Sequence, residues 1–359
     1  MPAEVSPLIS VEFSHRGTTR RITAPLPPFL TADFLLRQWE LVGEVAPAEG
    51  RVLVVGMGGS ILPTAALAGT LSSRLHFLDT PEGGAMAELA KGSSTLVSVS
   101  RSGTTWETLT MTRWLLDEGE FASLFTVTSP GSPLAGLVEG AGGRLIPYPA
   151  EVPGRFGLLT TATLLPLRLA GLGKEEVEGA ASSLATRSTF PVEVSLTSLL
   201  ISMLESGRSL LAVLAYHPHL YRVARWFAQL VGESLNRQGR GIIPLVEAAP
   251  ASHHTLLQAL ADGPTDHLAL LILLDREGER EGEADRLRRQ SARALSSFLS
   301  HLPQALLSAE VEGFAERLTL MVALARAVLL VAAEAGFDPF AQPAVDRFKA
   351  EFMGPGGAG

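Results

Sequence analysis

Ser100-Arg101-Ser102-Gly103-Thr104-Thr105-Trp106-Glu107-Thr108 crowds hydroxyl side chains around one glycine. An apolar run, 95–99, leads into this stretch and a helical pattern, 107–116, leads out of it. Where a strand turns into a helix, backbone N–H groups are left unpaired and the positive end of the helix dipole faces outward, which suits an anion. The hydroxyls add donors suited to a phosphate monoester, although an ordinary Ser/Thr helix cap is the plainer reading of the same residues. A second turn, Gly56-Met57-Gly58-Gly59-Ser60, follows the β-branched run 51–55 and precedes an Ala/Leu-rich helical segment, 61–71. It is not a dinucleotide fingerprint, because Ile61 stands where the third glycine belongs, nor a P-loop, because no lysine follows. Two such turns on neighbouring strands would meet at the carboxyl edge of one sheet and suit a sugar phosphate.

Other residues able to do chemistry are scattered. Arg155 sits at a helix start with no acidic neighbour at helical spacing, as a surface arginine would. Glu233 ends a helical run, 221–230, and opens a glycine-rich loop, where an isolated carboxylate is ordinarily solvated. His253 and His254 are adjacent, so their side chains point apart, and no HExxH-type partner exists to make them metal ligands. His217 and His219 flank Pro218 at a strand end and read as structural. Lysine is scarce: Lys91, Lys174 and Lys349 are the three among 29 basic residues, which singles out Lys349 on the terminal helix. The run 275–283 reads as a solvated loop, and Arg286, Arg288, Arg289 and Arg293 as its continuation onto an exposed helix face.

Composition narrows the classes. With 46% hydrophobic and 18% charged residues over 359 positions, the chain has enough apolar content for a core and room for two domains. A net charge of −8 gives no electrostatic case for nucleic acid or an anionic membrane surface. The absence of cysteine excludes disulfides, thiolate catalysis and cysteine-based metal sites. Residues 1–19 carry Glu4, Glu12 and His15 and no apolar run of the kind a secretory leader needs. The longest apolar stretch, 318–333, is interrupted by Arg326 and reads as a buried helix, so a soluble cytoplasmic protein is expected.

The elements that must position these residues follow an alternating pattern. Residues 1–50 read as an irregular lead-in with a helical piece at 32–45. Apolar strand-like runs then recur at 51–55, 75–78, 96–100, 123–127 and 144–146, separated by helical segments, as a parallel sheet covered on both faces requires. Helices at 154–170 and 175–188 follow, and the pattern restarts with strands at 209–215, 241–246 and 268–274 among helices at 197–205, 221–230 and 255–261. A long helix at 314–334, a bend and a last helix at 345–352 close the chain, with a Gly/Pro tail from Gly354 expected to be disordered. The expectation is an α/β protein with two doubly wound parallel sheets: residues 1–190, residues 191–335 and a C-terminal helical segment, 336–359.

Several stretches together resemble the phosphoglucose isomerase family. Residues 100–108 resemble its S-[KR]-S-G-T-T-x-E-T phosphate loop, and Gly56–Ser60 its G-x-G-G-S turn. Gly154-Arg155-Phe156, with Thr160 and Leu164-Leu165-Pro166 behind it, is similar to its G-R-[FY] segment. Gly232-Glu233-Ser234 through Gly239-Arg240-Gly241 to Pro244 resembles G-E-S-x-G-K-x-G-K-G-x-x-P, with Leu235-Asn236-Arg237 departing from x-Gly-Lys. His254, Gln258 and Asp262-Gly263-Pro264 resemble H-x-x-x-Q-x-x-x-D-G-P. Pro339-Phe340-Ala341-Gln342-Pro343-Ala344-Val345, then Lys349, is similar to the P-F-D-Q-x-G-V-E-x-x-K ending, with Ala341 and Ala344 in place of Asp and Gly. The six motifs run in family order from residue 56 to 349.

The resemblance implies two sugar isomerase domains, an active site between them and a homodimer, with His254 lent across the subunit interface. It implies Gly59, Ser60, Ser100, Arg101, Ser102 and Thr105 as phosphate and substrate contacts, with Gln342 touching the sugar. Glu233 is the implied base that moves a proton between C2 and C1 through a cis-enediol, Arg155 stabilises the charge on it, and His254 and Lys349 assist ring opening. No metal or redox cofactor is called for, and the partner is a small sugar phosphate. The implied activity interconverts glucose 6-phosphate and fructose 6-phosphate; in length the chain is nearer the compact isomerases that also accept mannose 6-phosphate. A non-catalytic sugar-phosphate sensor on the same domains is the rival reading, and it would need only the phosphate turns.

Overall fold

The structure, a computed structural model, describes residues 7–15, 17–276 and 282–353. Its first element corrects the irregular lead-in: β1 (Leu8–His15) and β2 (Thr18–Pro25) form an antiparallel hairpin, with Leu8 opposite Pro25 and His15 opposite Thr18. Ile9, Val11, Phe13, Ile22 and Ala24 alternate with outward residues and enter the core, the period-two pattern of a half-buried strand. Helix α1 (Ala32–Glu40) starts at Thr31, whose hydroxyl accepts from the Phe34 N–H.

The first βα run then unfolds in order: β3 (Val52–Gly56), α2 (Leu62–Leu67), β4 (Leu75–Leu78), α3 (Gly83–Lys91), β5 (Thr95–Ser100), α4 (Trp106–Glu118), β6 (Ser123–Thr128), α5 (Pro133–Gly140) and β7 (Arg144–Pro147). The five strands are parallel in the order β4-β3-β5-β6-β7. Every residue of β3 and β5 is buried, as expected of strands covered on both faces. The order reverses between β3 and β5, so the crevice at their carboxyl ends is the switch point of the sheet. Both glycine–hydroxyl turns leave from these two strands. The expected helix at 61–71 is shorter, because Gly69 takes a left-handed φ of 52° and opens a 3-10 segment, Gly69–Arg74.

Helices α6 (Thr161–Ala170), α7 (Lys174–Thr186) and α8 (Pro191–Ser206) lead to the second run. It comprises β8 (Leu210–Ala215), α9 (Pro218–Ser234), a two-residue ribbon of β9 (Asn236–Arg237) and β10 (Arg240–Gly241), β11 (Ile243–Ala248), α10 (His253–Asp262), β12 (Leu268–Asp275), α11 (Glu283–Phe298) and β13 (Gln304–Ala309). The sheet is parallel in the order β11-β8-β12-β13. Its fourth strand, β13, went unrecognised in the sequence. Two doubly wound sheets are thus present, as expected.

The chain closes with α12 (Phe314–Ala335) and α13 (Pro343–Met353). By length and composition α12 could cross a membrane, but it is a core helix, with residues 317–318 and 320–332 buried. It packs on α7, α8 and α9, and one continuous apolar cluster joins residues from both sheets. The expected solvated arginine face is corrected at Arg289, which is buried and pairs through Nη1 with Asp275 at 3.0 Å. The rest of the charged loop, 277–281, and the tail from Gly354 lie outside the described residues.

Candidate functional site

A cavity of about 390 Å³ opens where the carboxyl ends of β3 and β5 face the end of α9 and the arm formed by the 338–342 segment and α13. Its floor on the first sheet is made by the two turns. Gly58–Ser60 forms a single 3-10 turn, and Gly59 lies so close to the 154–155 peptide that a Cβ there would stand 2.5 Å from the Gly154 carbonyl. Only glycine permits that approach. At the second turn, Gly103 adopts φ 67° and α4 starts at Thr105 without a side-chain cap. The Ser102 and Thr104 hydroxyls are 2.9 Å apart and line the cavity beside Arg101 and Thr105. Ser100 lies beneath, buried; its hydroxyl meets that of Thr105 at 3.0 Å and accepts from the Gly103 N–H at 3.2 Å. Ser100 thus shapes the turn from below.

On the opposite side stand Arg155 and Glu233. Arg155 belongs to a 3-10 turn, Gly154–Leu159, and is 1% exposed, so it is not the surface arginine that its local sequence suggests. All five of its N–H donors are engaged. Nε donates to Ser234 Oγ at 3.0 Å, and Nη1 to Glu233 Oε2 at 3.0 Å and Gln342 Oε1 at 2.9 Å. Nη2 donates to the carbonyls of Pro339 at 2.6 Å and Ala341 at 3.1 Å. The Trp226 indole N–H fixes the backbone by donating to the Arg155 carbonyl at 3.0 Å. Burial pulls Arg155 below the ordinary arginine value, the Glu233 carboxylate opposing the shift. A guanidinium is hard to deprotonate, and here it is a fixed positive charge beside a carboxylate.

Glu233 lies in the last turn of α9, and its second oxygen, Oε1, accepts from Gln229 Nε2 at 2.8 Å. Gln229 lines the cavity, and its own side-chain oxygen is buried without a hydrogen-bond partner. The sequence reading missed it, although its position four residues before Glu233 on one helix was the available signal. Gln342 and Lys349 reach the cavity from the arm, and Val345, Phe348 and Trp106 line it as well. The lining has three cationic side chains, Arg101, Arg155 and Lys349, against two acidic ones, Glu107 and Glu233, a balance suited to a small anion with a carboxylate left for proton transfer.

Two groups of histidines lie elsewhere. His254 is exposed at the start of α10 and does not line this cavity. His253 is half-buried and bonded through Nε2 to the Tyr216 hydroxyl at 2.6 Å, which leaves His254 as the outward member of the pair. His217 and His219 lie at the carboxyl end of β8 and begin α9, with His217 Nδ1 accepting from the His219 N–H.

With the geometry in place, comparison with known proteins gives consistent relatives. The chain is 30% identical over 345 residues to a probable glucose-6-phosphate isomerase of Natronomonas pharaonis, covering 86% of this chain and 79% of that protein. It is 31% identical over 260 residues to a glucose-6-phosphate isomerase of Thermus thermophilus and 28% identical over 252 residues to that of Methanocaldococcus jannaschii. Those alignments take in 66% and 64% of this chain and 63% of each relative, so the match spans somewhat under two thirds of their length. No protein-family profile matches. Among solved structures, a hypothetical protein from Thermus thermophilus superposes with TM-score 0.69 at 23% identity, covering 90% of this chain and 86% of that one. A glucose-6-phosphate isomerase from Chlamydia trachomatis gives 0.68 at 19% identity, with 89% and 70% covered. At such identities the structural likeness speaks for the fold.

Proposed function

The chain belongs to the phosphoglucose isomerase family, and we propose that it is an aldose–ketose isomerase interconverting glucose 6-phosphate and fructose 6-phosphate. One observation carries the reading: a single cavity joins two anion-suited turns to a carboxylate whose oxygens are held by a buried arginine and a glutamine. A phosphate binder alone needs the turns and has no use for that carboxylate.

In this reading the phosphate docks on the backbone N–H groups and hydroxyls of Gly59, Ser60, Arg101, Ser102 and Thr105, with Ser100 supporting the turn. Lys349 and His254 exchange protons with the anomeric hydroxyl and the ring oxygen to open the sugar. His254 stands outside the cavity of its own chain, which fits the reading that it serves the site of a second subunit in a homodimer. Glu233 then takes the proton from C2 of the aldose, or C1 of the ketose, and returns it to the other carbon. The cis-enediol intermediate carries negative charge beside Arg155. With all its donors occupied, Arg155 acts by its field on the charge that develops beside it. Gln342 and Gln229 orient the sugar and the base. Protonation of the same enediol on its other face at C2 would give mannose 6-phosphate, which the product assay measures separately. Residues 1–190 and 191–335 form the two sugar isomerase domains, and 336–359 the segment that brings Lys349.

The test is a product assay with fructose 6-phosphate, measuring glucose 6-phosphate and mannose 6-phosphate separately. Glucose 6-phosphate should form, and Glu233→Gln should abolish it while leaving sugar-phosphate affinity nearly intact. A folded wild-type protein that binds the sugar phosphate without turning it over would favour the sensor instead.

A further inference from the structure

Arg237 lies three residues past the end of α9, on the short ribbon β9–β10. Gln238 (φ 51°) and Gly239 (φ 78°) both take left-handed conformations at its tip, as the tight turn between two paired strands demands. The ribbon holds the Arg237 guanidinium against four backbone carbonyls. Nη1 donates to Glu233 O at 3.1 Å and Asn236 O at 2.6 Å; Nη2 donates to Asp338 O at 2.7 Å and Ala341 O at 2.5 Å. One side of the fork thus grips the peptide of the residue that supplies the cavity carboxylate. The other grips the arm that carries Gln342 and Lys349. The Ala341 carbonyl is shared, since Arg155 Nη2 donates to it at 3.1 Å.

Arg155 holds the arm from the cavity side, at Pro339, Ala341 and Gln342, and Arg237 holds it from the ribbon side. Most of α13 is exposed, and Phe340 provides the neighbouring apolar contact against Phe29 and Phe156. Arg237 itself does not line the cavity. We propose that Arg237 is a positioning residue that fixes the distance between Glu233 and the Gln342–Lys349 arm. A planar guanidinium can bridge carbonyls on two separate segments, whereas a lysine ammonium on a single stem cannot hold the same fork. The inference rests on the isomerase reading for what Gln342 and Lys349 do, but the anchoring of the arm is measurable without it.

The experiment compares the full-length wild type with Arg237→Met and Arg237→Lys, checking melting temperature and far-UV circular dichroism first. Amide hydrogen exchange across 338–349 should quicken about tenfold or more in Arg237→Met, because the arm opens locally. With fructose 6-phosphate, kcat should fall about tenfold to a hundredfold, the scale of a misplaced catalytic group, while KM stays within about threefold because the phosphate turns are untouched. Affinity for inorganic phosphate should not change. Arg237→Lys should show the same defect, since it keeps the charge but loses the fork; general loss of stability would instead leave kcat of the folded protein intact. Unaltered exchange in 338–349 together with kcat within about twofold of wild type would overturn the proposal. If the wild type has no turnover, the isomerase reading fails, and the exchange measurement alone decides whether Arg237 anchors the arm.

Discussion

Arg155 Nη1 lies 3.0 Å from Glu233 Oε2 although 78 positions separate the two residues in the chain. The arginine is fully buried and the glutamate is 20% exposed at its side chain, so the cation is locked and the carboxylate faces the cavity. The same guanidinium ties down Gln342 and the Pro339 and Ala341 carbonyls. One side chain therefore sets the geometry of base and arm together.

Arg155→Lys should accordingly be far from conservative. Lysine cannot reproduce five directional donors, so kcat/KM should fall about a hundredfold or more. Carbonyls and a carboxylate left unpaired should also lower unfolding stability by about 3 kcal/mol. Chemical denaturation and steady-state kinetics on the same preparation check both parts. Near-normal turnover would remove Arg155 from the centre of the account.

Gly59→Ala should damage the site without touching any charged group. The new methyl would stand 2.5 Å from the Gly154 carbonyl and 2.8 Å from the Arg155 backbone nitrogen, closer than atoms can pack, and would push the Arg155 segment away. Turnover should drop at least about tenfold, since small misplacements in a site are costly, with phosphate affinity weakened as well. Wild-type kinetics in this variant would show that the close approach is not needed.

The placement of His254 outside its own cavity gives a complementation test. Glu233→Gln and His254→Ala should each be nearly inactive alone. Mixed by reversible unfolding, they should regain activity toward about a quarter of wild type, because in the proposed dimer half the random pairs are hybrids with one intact site of two. No recovery in mixtures shown to contain hybrids would place His254 on its own subunit or outside the reaction.

A buried pair away from the cavity sets a pH dependence of stability. Glu193 is fully buried on α8, with Oε2 3.1 Å from Arg326 Nε on α12. Burial pushes its carboxyl up from 4.5 to about 7, against the pull of Arg326. A raised value in the fold means that protonation favours the folded state. Its contribution is therefore complete below about pH 4.5 and lost as the pH rises to about 7. Relative to Glu193→Gln, the wild type should lose stability across that window, by up to about 3 kcal/mol. His219, which burial pushes down to about 4, has the opposite slope: its contribution is lost as the pH falls from 6.5 toward 4. The wild-type-minus-variant difference cancels it. A flat difference from pH 4.5 to 7 would mean that Glu193 stays ionised in the fold.

What could be read from the sequence was what is local. The turns at Gly56–Ser60 and Ser100–Thr105 are legible because strand, glycine, hydroxyls and helix start follow within a few residues, and the apolar runs mark every strand of the first sheet and three of the four in the second. The β1–β2 hairpin is masked in the sequence: Ile9, Val11 and Phe13 alternate, but Pro25, Pro27 and Pro28 close the segment as they would an irregular one. The burial of Arg155 had no local sign, since its acidic partner and its carbonyl acceptors come from α9 and the arm. Likewise Arg289 looked like one more exposed arginine until β12 brought Asp275 beneath it. Long-range pairing decided these residues, and spacing along the chain carries no record of it.

The central claim is that Glu233 carries a proton between two carbons of a bound sugar phosphate. The most direct measurement is to convert fructose 6-phosphate in deuterium oxide and locate the label by NMR. The account predicts deuterium at C2 of the glucose 6-phosphate formed, to the extent that the proton held by Glu233 exchanges with solvent while the enediol is bound, and neither product nor label with Glu233→Gln. Glucose 6-phosphate formed without deuterium at C2 by a Glu233→Gln protein as active as the wild type would contradict it.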